Sequence, residues 1–146
     1  MSNHREAAYA LLRVMLGVVF LFYGVGKLMG GVGSFAAVME QHFAGKLPGA
    51  LVLPFAHTLP FMEVTFGALI LLGLFNSIAL VLSGLLLVAL TFGTVMLGDA
   101  PTVAHNLQYA LINFVLLWFA DYNGFSVDRL RRSRPPAKLP DSTRDV

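Results

Sequence analysis

Cysteine is absent from all 146 residues. That excludes thiolate nucleophiles, disulfide exchange, iron–sulfur ligation and covalent haem attachment as activities of the chain itself. Charge is scarce as well, at 12% of residues against 57% apolar ones, and the mean hydropathy is +0.74. An ordinary soluble domain does not have this composition, whereas a membrane protein does. The motif inventory is equally short: no HExxH, no acidic metal cluster, no phosphate loop, and no nucleophile at a fixed spacing from a base. A self-sufficient enzyme is therefore poorly supported, and any redox chemistry must be borrowed from a cofactor or partner.

What the chain has in abundance is apolar sequence. Four stretches, about Ala8 to Leu28, Val52 to Leu74, Ser77 to Leu97 and His105 to Ala120, approach the roughly 20 residues needed to cross a bilayer. The first resembles the apolar region of a signal peptide, but it contains Arg13, runs too long and lacks a cleavage site, so it reads as a retained span. The expected fold is all-α: a transmembrane four-helix bundle in one domain over residues 1–132, followed by a Pro-rich, polar, disordered tail over 133–146. Arg5 and Arg13 lie at the start of the first span, and Arg129, Arg131, Arg132, Arg134 and Lys138 follow the fourth. Clusters of this kind mark the cytoplasmic side, so both termini are expected to be cytoplasmic. No nucleic-acid partner is expected. The basic run offers a docking site for a cytoplasmic partner.

Between the first two spans, Ser34 precedes Phe35, Val38, Met39, His42 and Phe43, the spacing of one helical face. This predicts a short amphipathic helix capped by Ser34, lying at the membrane surface or packing on the bundle.

Glu63 is the only charged residue between Lys46 and Asp99. An acid kept where ionisation is expensive is either a packing partner or a working site. Pro54 and Pro60 are expected to bend or unwind the start of its helix. Gly17 and Gly24, seven residues apart, read as a helix contact. Ser83, Leu87, Thr91, Thr94 and Gly98 form a stripe that reads as interhelical packing. The span orientations place Tyr23 roughly 6 Å below Lys27, at 1.5 Å of rise per residue. Glu63, Asn106, Tyr109 and Asn113 fall in the same outer half, with His105 beside them. A ligand cluster of Tyr23, Lys27, Glu63, His105, Asn106, Tyr109 and Asn113 is expected there, Glu63 being the catalytic candidate. The alternative is a structural Glu63, held neutral by burial or paired with Lys27 to fix the register of the bundle, although a lysine at a span end ordinarily extends to the interface without a partner. His57 and His105 raise the question of haem b, which isolated interfacial histidines do not favour.

The pieces LRVMLGVVFLFYGVGKL, LPFMEVTFGALILLGLF and GFSVDRL, together with Asn106 and Asn113, resemble the DoxX family of small bacterial four-helix membrane proteins. The resemblance runs from Leu12 to Leu130. It implies a membrane subunit of the bacterial inner (cytoplasmic) membrane that works beside quinone, with soluble or membrane oxidoreductase subunits as partners. In GFSVDRL, Gly124 permits a turn, Ser126 caps a helix and Asp128 holds the following arginines.

Two functions stay open on this reading. In one, a quinone head group sits in the outer-half cluster, where Glu63 handles the proton and Asn106 and Tyr109 bond the carbonyl oxygens. In the other, the chain is a non-catalytic membrane anchor or assembly subunit. Carriage of a small apolar molecule would need a homodimer to provide alternating access.

Overall fold

The computed structural model describes residues 2–132, and the tail expected over 133–146 lies outside the described residues. Every regular element among the described residues is helical: α1 (Ser2–Met29), α2 (Val32–Phe43), α3 (Gly49–Leu72), α4 (Asn76–Leu97), α5 (Ala100–Trp118), a 3₁₀ turn (Ala120–Tyr122) and α6 (Val127–Arg132). By length and composition three of them, α1, α3 and α4, can cross a membrane. The expected fourth span corresponds to α5. At 19 residues it is nearly long enough, but His105, Asn106, Gln108, Tyr109 and Asn113 dilute its apolar character.

Glycine ends the long helices where a left-handed residue is needed. Gly73 (φ 65°) and Gly98 (φ 75°) close α3 and α4. The next amide in each case, Leu74 N–H or Asp99 N–H, donates back to Leu69 O or Thr94 O, the Schellman arrangement. At the start of α4, Phe75 takes a left-handed conformation (φ 47°) and supplies no capping oxygen. The cap comes from α6. Asp128 accepts the Phe75 and Asn76 N–H groups at 3.0 and 3.1 Å, a capping role that its place in the sequence does not announce. Arg129 bonds Glu6 at 3.1 Å. Ser126 does cap its own helix, its hydroxyl accepting the Arg129 N–H at 3.3 Å. Replacing Asp128 with alanine leaves both α4 amides without their partner and is expected to cost about 1–3 kcal/mol, as for hydrogen bonds to a charged group. A lower melting temperature of the detergent-purified protein, with a smaller drop for Asp128→Asn, is the check.

The closest packing joins α1 to α3. A Cβ at Gly17 would lie 2.7 Å from Leu71 N, and one at Gly24 would lie 2.7 Å from Val64 N, so both glycines are required for backbone approach. Gly67 answers from α3 against Leu21. The glycine contact read from Gly17 and Gly24 is thus the α1–α3 seam.

Neither proline interrupts α3, which runs unbroken through Pro54 and Pro60. The Thr58 hydroxyl bonds back to Pro54 O at 2.9 Å within the helix, and Pro60 O is where Gly24 comes close. The expected unwinding does not occur.

The surface helix exists as α2, with two differences. It begins at Val32 after Gly31 (φ 89°), so Ser34 lies in its first turn and makes no cap bond. Its inward side is Ala36 and Phe43, with Phe35 and Met39 half-buried, while Val38 and His42 are exposed. That side packs on α3, and the Phe43 ring reaches Gly93 of α4.

The molecule as a whole is apolar outside and partly polar inside. Phe22, Phe61, Phe92, Phe114 and Trp118 are more than half exposed, whereas Arg13, Glu63, Asn76, Ser83, Asn106 and Asn113 are buried. In water this distribution would be unstable. In a bilayer the exposed rings meet hydrocarbon and the polar groups find one another, so the chain is a multi-pass membrane protein.

Candidate functional site

Six of the seven residues expected to cluster line a single cavity of about 320 Å³. Tyr23 and Lys27 come from α1, Glu63 from α3, and His105, Asn106 and Tyr109 from α5; Val19, Phe20, Leu87 and Leu90 supply apolar wall. The reason is local. Tyr23 and Lys27 are four residues apart and so share a face of α1. Asn106 and Tyr109, three apart, share a face of α5. The glycine seam then sets α1 close enough to α3 for Lys27 to reach Glu63.

Contact between those two is direct. Lys27 Nζ donates to Glu63 Oε1 at 2.6 Å and to Oε2 at 2.5 Å. The Glu63 side chain is 6% exposed and that of Lys27 is 23%. Lys27 therefore does not extend alone to the interface. A buried carboxylate offers far more than an interfacial one, and the ammonium also lies 5.7 Å from the Tyr23 ring centre and 5.5 Å from that of Phe35. Asn106 donates to Thr94 Oγ1 at 3.4 Å, a long bond that leaves its amide available. Tyr23 is 57% exposed, so the cavity reaches the bilayer-facing surface along its α1 wall.

At the cavity's α5 end Thr102 is part of the wall. Its hydroxyl and its N–H both donate to Asp99, the N-cap of α5. Those two bonds, the hydroxyl's first, hold the Asp99 carboxyl below its usual range.

Asn113 is not part of this site. It lies deeper, where its amide donates to Leu80 O at 2.9 Å and its carbonyl accepts the Ser83 hydroxyl at 2.9 Å. Its polar atoms are committed to joining α5 with α4. Gly84 makes room for it, since a Cβ there would stand 2.9 Å from the Asn113 amide. Thr91 and Thr94 bond back to Leu87 O and Leu90 O of their own helix, and Thr94 is also part of the cavity wall. His57 is exposed, with its Nδ1 2.8 Å from Leu53 O, and it does not line the cavity that His105 lines.

A second buried polar group, at the opposite end of the helices, escaped the reading of the sequence. Arg13 is 4% exposed and donates to Ile70 O at 3.0 Å and Phe125 O at 2.7 Å. Tyr9 donates to Leu116 O at 3.0 Å and accepts from Asn76 at 2.7 Å. Together they hold the end of α3, the start of α4 and the end of α5. The signal was available, because Arg13 is a lone cation in an apolar span, and the rule that singled out Glu63 applies to it equally.

Comparison with known proteins corrects the family. Residues 5–100 match the family model of the methylamine utilisation protein MauE, a different family of small membrane proteins from DoxX. The features behind the DoxX resemblance, glycines on a seam and lone charges inside spans, are what any small helical membrane protein needs for packing, so they discriminate families poorly. No curated protein and no solved structure matches the chain. The matched region takes in Tyr23, Lys27 and Glu63 and stops at the first residue of α5, leaving His105, Asn106 and Tyr109 beyond it. With about two thirds of its length covered by that model, the chain belongs to the MauE family.

Proposed function

We propose that α1, α3, α4 and α5 form one transmembrane four-helix bundle in the bacterial inner membrane, with both termini cytoplasmic. Within a redox system that serves methylamine utilisation, the chain is the membrane subunit that holds a quinone head group in the outer cavity. The observation that carries this reading is an apolar cavity of ligand size whose charges are a directly bonded Lys27–Glu63 pair. Apolar walls suit the ring, the exposed side at Tyr23 admits an apolar tail from the bilayer, and Asn106 and Tyr109 can donate to the carbonyl oxygens. Bound quinone supplies two-electron, two-proton chemistry. The chain's own part is to hold the ring, to exclude water with Phe20, Leu87 and Leu90, and to keep an exchangeable proton on Lys27 beside the Glu63 carboxylate. Electrons come from an oxidoreductase partner.

The test is equilibrium binding of a short-chain ubiquinone analogue to the protein in nanodiscs. Asn106→Leu and Tyr109→Phe are each expected to weaken binding about tenfold or more, which is about 1.4 kcal/mol, with little change in thermal stability. Unchanged binding in both variants would sink the quinone reading.

One observation favours a second reading. Because Lys27 and Glu63 satisfy each other without a ligand, the pair can act purely as a lock between α1 and α3 in a non-catalytic anchor or assembly subunit. Under that reading Glu63→Gln fails to accumulate in the membrane and the parent protein does not bind the quinone analogue.

A further inference from the structure

The seam between α1 and α5 holds a second cavity, of about 460 Å³, at the end opposite the Lys27–Glu63 pair. Its apolar floor is Ala8 and Leu12 of α1 with Val115 and Phe119 of α5, and Arg5 and Tyr122 stand at its head. Arg5 is the one charged side chain lining it. The guanidinium donates to the Tyr122 hydroxyl at 3.1 Å and lies 5.8 Å from that ring's centre. Among the described residues it makes no ion pair, since the neighbouring Glu6 is bonded to Arg129. Tyr9, at the back of the groove, has its hydroxyl committed to Leu116 O and Asn76 and so does not compete for a ligand.

We propose that this groove binds one anionic phospholipid, with the phosphate on Arg5 and an acyl chain along Ala8, Leu12, Val115 and Phe119. Charge and shape both select that occupant. An exposed guanidinium bonded to a single neutral phenol retains N–H donors in the fork that matches a phosphate. From Arg5 to Leu12 the α1 face descends roughly 10 Å at 1.5 Å per residue, so the apolar floor begins where a headgroup ends and hydrocarbon begins. A free phosphate would use Arg5 but leave the floor bare, and a neutral lipid would use the floor but leave Arg5 without an anion. By wedging between α1 and α5 the lipid completes a seam that these two helices close only in part.

The experiment measures the melting temperature of the full chain in a maltoside detergent during titration with dioleoyl phosphatidylglycerol, dioleoyl phosphatidylcholine or inorganic phosphate. Phosphatidylglycerol is expected to raise it saturably, at concentrations at least tenfold below those at which phosphatidylcholine acts, and phosphate to leave it unchanged. Arg5→Gln is expected to erase the difference between the two lipids. Ala8→Trp, at an exposed position that fills the groove, is expected to abolish stabilisation by both. Equal potency of the two lipids on the parent protein would overturn the proposal. So would protection by inorganic phosphate alone, which would make Arg5 a simple anion site, or parent-like lipid selectivity in Arg5→Gln. The comparison of lipids on the parent chain decides the matter even where a variant fails to fold.

Discussion

Gly67→Ala is expected to destabilise the protein by about 3 kcal/mol, the upper end of overpacking costs. A Cβ at this position would overlap the Leu21 backbone of α1 and come within 3.0 Å of Gly17 O. Side chains can rotate away from an intruding methyl; these neighbours are backbone and cannot. To admit it α1 must move off α3, which also releases the close approaches at Gly17 and Gly24 along the same seam. Unfolding of the purified protein in a mixed-detergent titration reads the loss, and Gly26→Ala is the control. Nothing lies within 4 Å of a Cβ at Gly26, so that change is expected to be neutral or to stabilise the helix by roughly 0.5–1 kcal/mol. Equal stability of Gly67→Ala and the parent would show that the α1–α3 contact is looser than described. Because α1 carries Tyr23 and Lys27, the same variant is expected to lose the cavity around Glu63.

Breaking the Lys27–Glu63 pair from one side is expected to cost at least as much, and the two sides should not be equal. Lys27→Met leaves a carboxylate in a place where its side chain is 6% exposed, so its cost is expected in the range of about 3–5 kcal/mol for an orphaned buried charge. Glu63→Gln leaves an ammonium that is 23% exposed, near the end of α1, and able to turn toward the interface, so the cost is expected to be smaller. In the double variant Lys27→Met with Glu63→Leu no charge remains to be desolvated, and most of the stability is expected to return. This three-variant series also separates the two functional readings. If the double variant folds like the parent but no longer binds the quinone analogue, the pair belongs to a ligand site. If quinone binding survives in it, the pair is a lock between helices and nothing more. A double variant less stable than both single ones would mean that the charges are not what the singles lose.

Much of the helical framework was legible because its signals are local. Runs of apolar residues locate α1, α3 and α4. Gly30, Gly73 and Gly98 stand at the ends of those helices, and the periodicity of Phe35, Met39 and Phe43 announces α2. Where the reading failed, a distant partner decided the outcome. Pro54 and Pro60 predict a bent or unwound start, yet α3 stays continuous through both, with Gly24 of α1 packed close to Pro60 O. Asp128 has arginines beside it in sequence, but in space it also meets the Phe75 and Asn76 amides at the start of α4, which only the fold brings to it. Asn113 has the depth of a site residue, but Ser83 and Leu80 O absorb its hydrogen bonds. Arg13 was passed over for a related reason: its partners are carbonyl groups, which leave no trace in the pattern of side chains.

By itself the sequence determined the solvent and the vocabulary of this protein. A chain with this little charge, no cysteine and long apolar runs must satisfy its backbone in helices within a bilayer and can borrow redox chemistry only from elsewhere. It also singled out Glu63, because one acid in an apolar run is visible without coordinates. The partner of Glu63 was decided by tertiary structure alone. Lys27 lies 36 residues away, and whether it reaches the interface or the acid depends on how closely α1 approaches α3. Three glycines set that distance, and the same approach makes one cavity of residues drawn from four helices.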